Sequence, residues 1–170
     1  MAIKNKKRGF ALLIAVIFMS VMLTFGLALG SLGYKQSVLA SGAVESQYAF
    51  YAADAGLECA LYADQQLNQF SYASHDSNNP PTPITCDGSG AARLAYSYTT
   101  SAGGLLTEAE RLSLDNGAHC ADVTIYKYGS PQGSPSISTQ IFSQGYDVPC
   151  ARVANPNGAR FVSRGISSRY

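Results

Sequence analysis

The chain has 170 residues, with twelve Lys and Arg against eleven Asp and Glu and a formal net charge of +1. Its first nine residues hold four of those basic groups, so the remainder carries eight Lys and Arg against eleven Asp and Glu and is mildly acidic. A mildly acidic body lacks the basic footprint of phosphate-backbone binding, so nucleic acid is not indicated as a partner.

Lys4, Lys6, Lys7 and Arg8 crowd the start, and then from Phe10 to Tyr34 there is no Asp, Glu, Lys, Arg, His or Pro. A run of about 20 such residues crosses a bilayer as a helix. Only Lys35 flanks the far end, so the positive-inside bias predicts a cytoplasmic start and an exterior remainder. A secretory signal peptide also begins with a basic and then an apolar region. This run is about twice the length of a signal core, and no clear small-x-small site followed by a loop ends it.

The segment from Ala43 onward continues as a helical pattern. Val44, Tyr48, Tyr51, Ala55, Cys59 and Tyr62 recur at three- or four-residue steps, with Phe50, Leu57 and Leu61 beside them, while Asp54 and Glu58 share another face. The prediction is one helix from about residue 10 to about residue 69, apolar all round in its first half and amphipathic in its second. At about 1.5 Å per residue it is roughly 90 Å long.

Lys6-Lys-Arg-Gly-Phe-Ala-Leu-Leu-Ile14, the spanning helix and the stalk carrying Ala52-Ala-Asp-Ala-Gly-Leu-Glu58 together resemble a type IV pilin-like protein, of the minor pilin or pseudopilin kind. The resemblance covers about the first 65 residues. It implies that a prepilin peptidase removes the leader after Gly9 and that Phe10 becomes the N-methylated first residue. It also implies other pilin or pseudopilin subunits and an inner-membrane assembly platform as partners. The fifth residue after the junction is usually glutamate in that family and here is Ile14. The glutamate is thought to meet the N-terminal amine of a neighbouring subunit, a pairing this chain cannot make. Minor subunits that lack it include some at the filament tip, where no earlier subunit waits to be paired; otherwise the aliphatic residue is simply tolerated.

After the helix, Ser71 to Pro83 has no apolar periodicity and contains three prolines, which makes it a linker. Strands are predicted over 91–100, 121–128, 137–146 and 159–168, with a turn-rich break from Gly129 to Pro135. Thr107-Glu-Ala-Glu110 has capping-box spacing and predicts a helical turn or two. Ser143-Gln-Gly-Tyr and Ser163-Arg-Gly-Ile share a pattern that suggests equivalent bulges in neighbouring strands. The expected fold is α+β: a long N-terminal helix packed through its stalk stripe on a small antiparallel sheet.

Cys59, Cys86, Cys120 and Cys150 all follow the apolar run, and on the exterior side an even count favours disulfides; four cysteines permit three pairings. Cys120 and Cys150 are symmetric about residue 135, so a hairpin brings them opposite each other. Cys59 on the stalk stripe is then left to Cys86, which ties the linker back. Each bridge closes a loop of about 30 residues and by loop entropy stabilises by about 3 to 4 kcal/mol.

The competing chemistry is weaker. His75, His119 and the cysteines lack Cys-x-x-Cys or His-x3-His spacing for zinc. No Gly-x-Ser-x-Gly or comparable frame places a nucleophile with a base, so no enzyme, cofactor or metal is expected. Asp87-Gly-Ser-Gly and Asp115-Asn-Gly read as turns, with too few alternating carboxylates for a calcium loop. The organisation expected is a leader over 1–9, a transmembrane and filament-core helix over 10–34, an amphipathic stalk over 35–70 and a disulfide-bonded head over 71–170. The expected function is a structural subunit held in the cytoplasmic membrane with its C-terminus outside, then assembled into an extracellular pilus-like filament, at its tip or in its initiation. The alternative is an adhesin or DNA-uptake pseudopilin whose head binds a surface or polymer. A permanently anchored, unprocessed ectodomain is the third reading.

Overall fold

A computed structural model of the protein describes residues 8–100, 104–129 and 138–170, and of Arg8 and Gly9 the helical backbone alone. Residues 1–7 of the expected leader therefore lie outside the described residues, as do 130–137, the centre of the predicted break. The chain divides into two units, Met1–Gly42 and Ala43–Tyr170.

One helix, α1, runs Arg8–Gln65. In the first unit no proline interrupts it. The hydroxyls of Ser20, Thr24 and Ser31 donate to the carbonyls of Ile17, Val21 and Ala28 at 2.8 to 2.9 Å, so each of these three has its acceptor within the helix. The helix stops four residues before the expected end. Asn68 takes the left-handed conformation at φ 50, which Asn tolerates better than most residues, and the Gln69 N–H turns back to the Ala63 carbonyl at 3.0 Å.

The second unit is α+β. After the linker come a small hairpin, β1 Thr85–Cys86 and β2 Ser89–Gly90, and a five-stranded antiparallel meander. The meander strands are β3 Ala92–Thr99, β4 Leu105–Leu114, β5 His119–Tyr128, β6 Ser138–Tyr146 and β7 Ser163–Arg169, in spatial order β3-β4-β5-β6-β7. A short helix, α2, spans Cys150–Ala154 between β6 and β7. Asp87 and Gly88, at φ 49 and 70, make the tight turn of the first hairpin.

Alternate residues of the central strands point inward. Leu106, Leu112, Val123, Ile125 and Ile141 are buried there with Phe70 and Ile84, which flank the linker, each contributing about 1.5 to 3 kcal/mol by leaving water.

Four expectations are corrected. The segment 107–110 is not helical but lies inside β4, because its residues alternate strictly between buried and half-buried. The packed face of α1 is Ala49, Ala52, Ala53, Gly56, Ala60 and Ala63, whereas Tyr48, Tyr51 and Tyr62 are exposed. Small residues win that face because the helix lies so close to the sheet: a Cβ on Gly56 would stand 2.7 Å from Ser143 Oγ, and one on Gly145 would overlap the backbone of Ala49 and Ala53. The Ser-x-Gly segments pair in register across β6 and β7 without a bulge; the irregularity falls in β3, between Arg93 and Ala95. Gly145 serves helix approach, and Gly165 makes room for the Phe142 ring. Finally, Cys120 faces Tyr146 across the ladder, not Cys150.

Candidate functional site

The sequence-derived positions fall into two groups. Phe10 and Ile14 lie one turn apart on α1, and both are exposed. The Gly9–Phe10 peptide sits in the first turn, where backbone N–H groups have no intrahelical acceptor and glycine weakens the helix. Within Phe10–Gln65 an 18-residue window reaches a mean hydropathy of 2.6, and this is the one helix among the described residues long and apolar enough to cross a membrane. Its length and composition suit a membrane anchor.

The cysteines form the second group. Cys59 of α1 bonds to Cys86 of β1, with Cα atoms 6.3 Å apart, and Cys120 of β5 bonds to Cys150 of α2, with Cα atoms 4.8 Å apart. The route to the second bridge differs from simple hairpin symmetry. Pro149 starts α2, and its first residue turns the Cys150 sulfur back toward the start of β5.

Two buried polar clusters escaped the sequence reading. In the first, Lys127 Nζ donates to both carboxylate oxygens of Asp64 at 2.5 and 2.6 Å, and the Tyr170 hydroxyl donates to Asp64 Oδ2 at 2.6 Å. Tyr170 is held by two backbone bonds to Thr139 at 2.9 and 3.1 Å. Burial, reinforced by Asp64, pushes the Tyr170 phenol above its ordinary range. The cluster ties the last turn of α1 to the centre of the sheet and to β7's end.

In the second cluster Glu108 and Glu110 of β4 are both fully buried. Arg93 bonds to Glu108 and to the Pro81 carbonyl, and the Ile84 N–H donates to Glu110 Oε2 at 2.8 Å. Burial raises the pKa of both acids, against the opposing pull of Arg93 on Glu108. For Glu110, burial and the neighbouring Glu108 outweigh the Ile84 N–H and push it up to about 7. Glu108 Oε2 and Glu110 Oε1 are the two carboxyl oxygens here without a donor. A single proton held by Glu110 and given toward Glu108 accounts for both.

A signal for these clusters existed. Glu108 and Glu110 share parity with Leu106 and Leu112, and Lys127 shares parity with Val123 and Ile125, so strand periodicity alone puts the charges inside. Both clusters bind structural elements together. No protein-family model, characterised protein or solved structure matches this chain.

Proposed function

We propose that the chain is a minor pilin or pseudopilin that is processed between Gly9 and Phe10 by prepilin peptidase and assembles into a type IV pilus-like filament. The observation that carries this reading is the unbroken helix Arg8–Gln65, which begins beside a basic leader, is free of charge from Phe10 to Tyr34, and ends packed on an antiparallel sheet. An all-apolar rod can exchange lipid for like helices at little cost, since packing and not hydrophobicity decides helix association in that setting. The Cys59–Cys86 disulfide and the buried Asp64–Lys127 pair fasten the end of α1 to the head, and Cys120–Cys150 ties α2 to β5, which suits a head that keeps its form after leaving the membrane. The partners are prepilin peptidase, an inner-membrane assembly platform and other subunits of the filament. The protein performs no catalytic step.

The reading sets the subunit at the tip or in the initiation of the filament, and Ile14 is the residue that supports it. A subunit with none ahead of it has no amine to capture, and an aliphatic side chain avoids an unpaired charge costing about 2.5 to 3.5 kcal/mol near a helix centre on insertion scales and less nearer the end, where Ile14 lies. Its own Phe10 amine remains able to receive a carboxylate from the following subunit.

The test is a Gly9→Leu variant. It should keep its leader, remain in the cytoplasmic membrane and be missing from filaments sheared off the cell, because a tail of four cations cannot enter an apolar helix bundle. Normal incorporation of the uncleaved variant would overturn the reading.

A further inference from the structure

Two of the groups that hold the linker need a proton to do so. His75, half-buried near its start, has both ring nitrogens against backbone carbonyls: Nε2 stands 2.8 Å from the Gln69 oxygen and Nδ1 3.2 Å from the Asn79 oxygen. A carbonyl only accepts, and a neutral imidazole has a single N–H, so both contacts are hydrogen bonds only when His75 is an imidazolium. Loss of its proton leaves one of them as a lone pair facing a lone pair.

The acids of β4 hold the far end of the linker. Glu110 accepts the Ile84 N–H, and Arg93 joins Glu108 to the Pro81 carbonyl. One guanidinium serves two buried carboxyls there, and a proton on Glu110 satisfies the two oxygens that lack a donor. β5 opposes these acids with Ile125 and Val123, so it offers no charge to balance a second carboxylate. His75 adds positive charge that Glu108 feels, whereas Asp76 and Tyr96 face the cluster without adding a cation. Other ties need no proton and mark where movement stops. Tyr72 stacks on Tyr98 with centroids 4.6 Å apart and donates to the Thr99 carbonyl at 2.7 Å, and Cys86 is bonded to Cys59.

We propose that residues 75–84 form a proton-held flap, docked on β3 and β4 while His75 and Glu110 carry their protons and lifted from the sheet, still tethered at Tyr72 and Cys86, once both are lost. The docked form binds more protons than the lifted one, so docking is favoured on the acid side and weakens as the pH rises. The two protons sit at opposite ends of the segment and act in the same direction. The Tyr96 hydroxyl on the Asp76 carbonyl at 2.6 Å and the Gln69 amide on Thr82 persist without them, but each is a neutral bond of modest net worth. Lifting uncovers Pro81 and Ile84, both buried in the docked form, so the head gains apolar surface on the alkaline side. The inference concerns the head alone and does not depend on processing after Gly9.

The experiment is amide hydrogen exchange of the full chain in neutral detergent micelles, with each rate divided by that of an unstructured peptide so that base catalysis of exchange cancels. The Asn79 and Ile84 amides should lose roughly tenfold or more in protection between about pH 5 and pH 8, and at the higher pH they should open more readily than the amides of β5. Glu110→Gln, which keeps a donor toward Glu108 at every pH, should retain more protection at pH 8 than the parent. Combined with His75→Gln, which gains no proton, it should leave the protection flat with pH. Linker amides protected as well as those of β5 at both pH values, protection that does not change with pH in the unaltered chain, or a double variant that responds like the parent would each overturn the flap. Should a variant fail to fold, nitrogen-15 NMR of the unaltered chain decides: both ring N–H protons of His75 should be visible and slow to exchange with water at pH 5, and ring protons that exchange freely there would overturn the proposal.

Discussion

Glu108 and Glu110 stand two residues apart on the inward face of β4, both fully buried, and each has one oxygen that no donor reaches. Arg93 supplies one cation for the two acids, so the arrangement is electrically balanced when Glu110 is protonated. Glu110 releases its proton near pH 7 in the folded head and near 4.5 when unfolded. The raised pKa therefore contributes stability that is full below about pH 4.5, declines as the pH rises toward 7, and is gone above it.

The expected loss between pH 5 and pH 8 from this group is on the order of 2 to 3 kcal/mol. Denaturant unfolding of the full chain in micelles at the two pH values measures it. Glu110→Gln, which can still accept from the Ile84 N–H and donate toward Glu108, should flatten the dependence. An unchanged slope in that variant would move its origin elsewhere.

Gly145→Ala should cost at least about 1 to 3 kcal/mol, because the new methyl overlaps the α1 backbone at Ala49 and Ala53 and overpacking of that kind is not relieved by a side-chain rotation. Gly90→Ala is the control, since nothing lies within 4 Å of its added Cβ. Thermal unfolding of the two variants beside the parent should separate them clearly.

Asp64→Ala leaves the Lys127 ammonium buried without its partner and should destabilise by about 3 to 5 kcal/mol. The pair Asp64→Ala with Lys127→Met should recover most of that loss, and Tyr170→Phe should cost only about 1 kcal/mol, the worth of one hydrogen bond. A double variant no better than Asp64→Ala would contradict the ion-pair account.

Peptide mapping without reduction should recover Cys59 joined to Cys86 and Cys120 joined to Cys150. Replacing either pair with serines should cost about 3 to 4 kcal/mol from loops of roughly 30 residues. A Cys59–Cys150 peptide would contradict the register of β5 and the placement of α2.

Much of this fold was legible in the sequence, and the misses have physical causes. β5 and β6 announce themselves through alternating Val123, Ile125 and Ile141, and the prolines at 80, 81 and 83 bound the long helix, which ends four residues before the expected position. β4 stayed hidden because two of its five inward residues are glutamates, so the apolar alternation broke where Thr107 and Glu110 imitate a helix cap. The tyrosine stripe misled because hydrophobic periodicity ranks large residues above small ones. Alanine and glycine face the sheet instead, since only they allow the backbone approach at Gly145. The buried acids left one trace, their parity with Leu106 and Leu112, which reveals nothing until the segment is read as a strand.

Labelled heads counted by electron microscopy should sit in few copies at one filament end, and deletion should lower filament number, if Ile14 marks an initiating subunit. Even label along the shaft would make Ile14 a tolerated residue of a shaft subunit.

The most direct measurement is mass spectrometry of the N-terminus of the full chain, isolated from cells that express a prepilin peptidase. The account predicts that residues 1–9 are gone and that the first residue is an N-methylated Phe10. A chain still beginning at Met1, or a head released by cleavage beyond the apolar run, would contradict it.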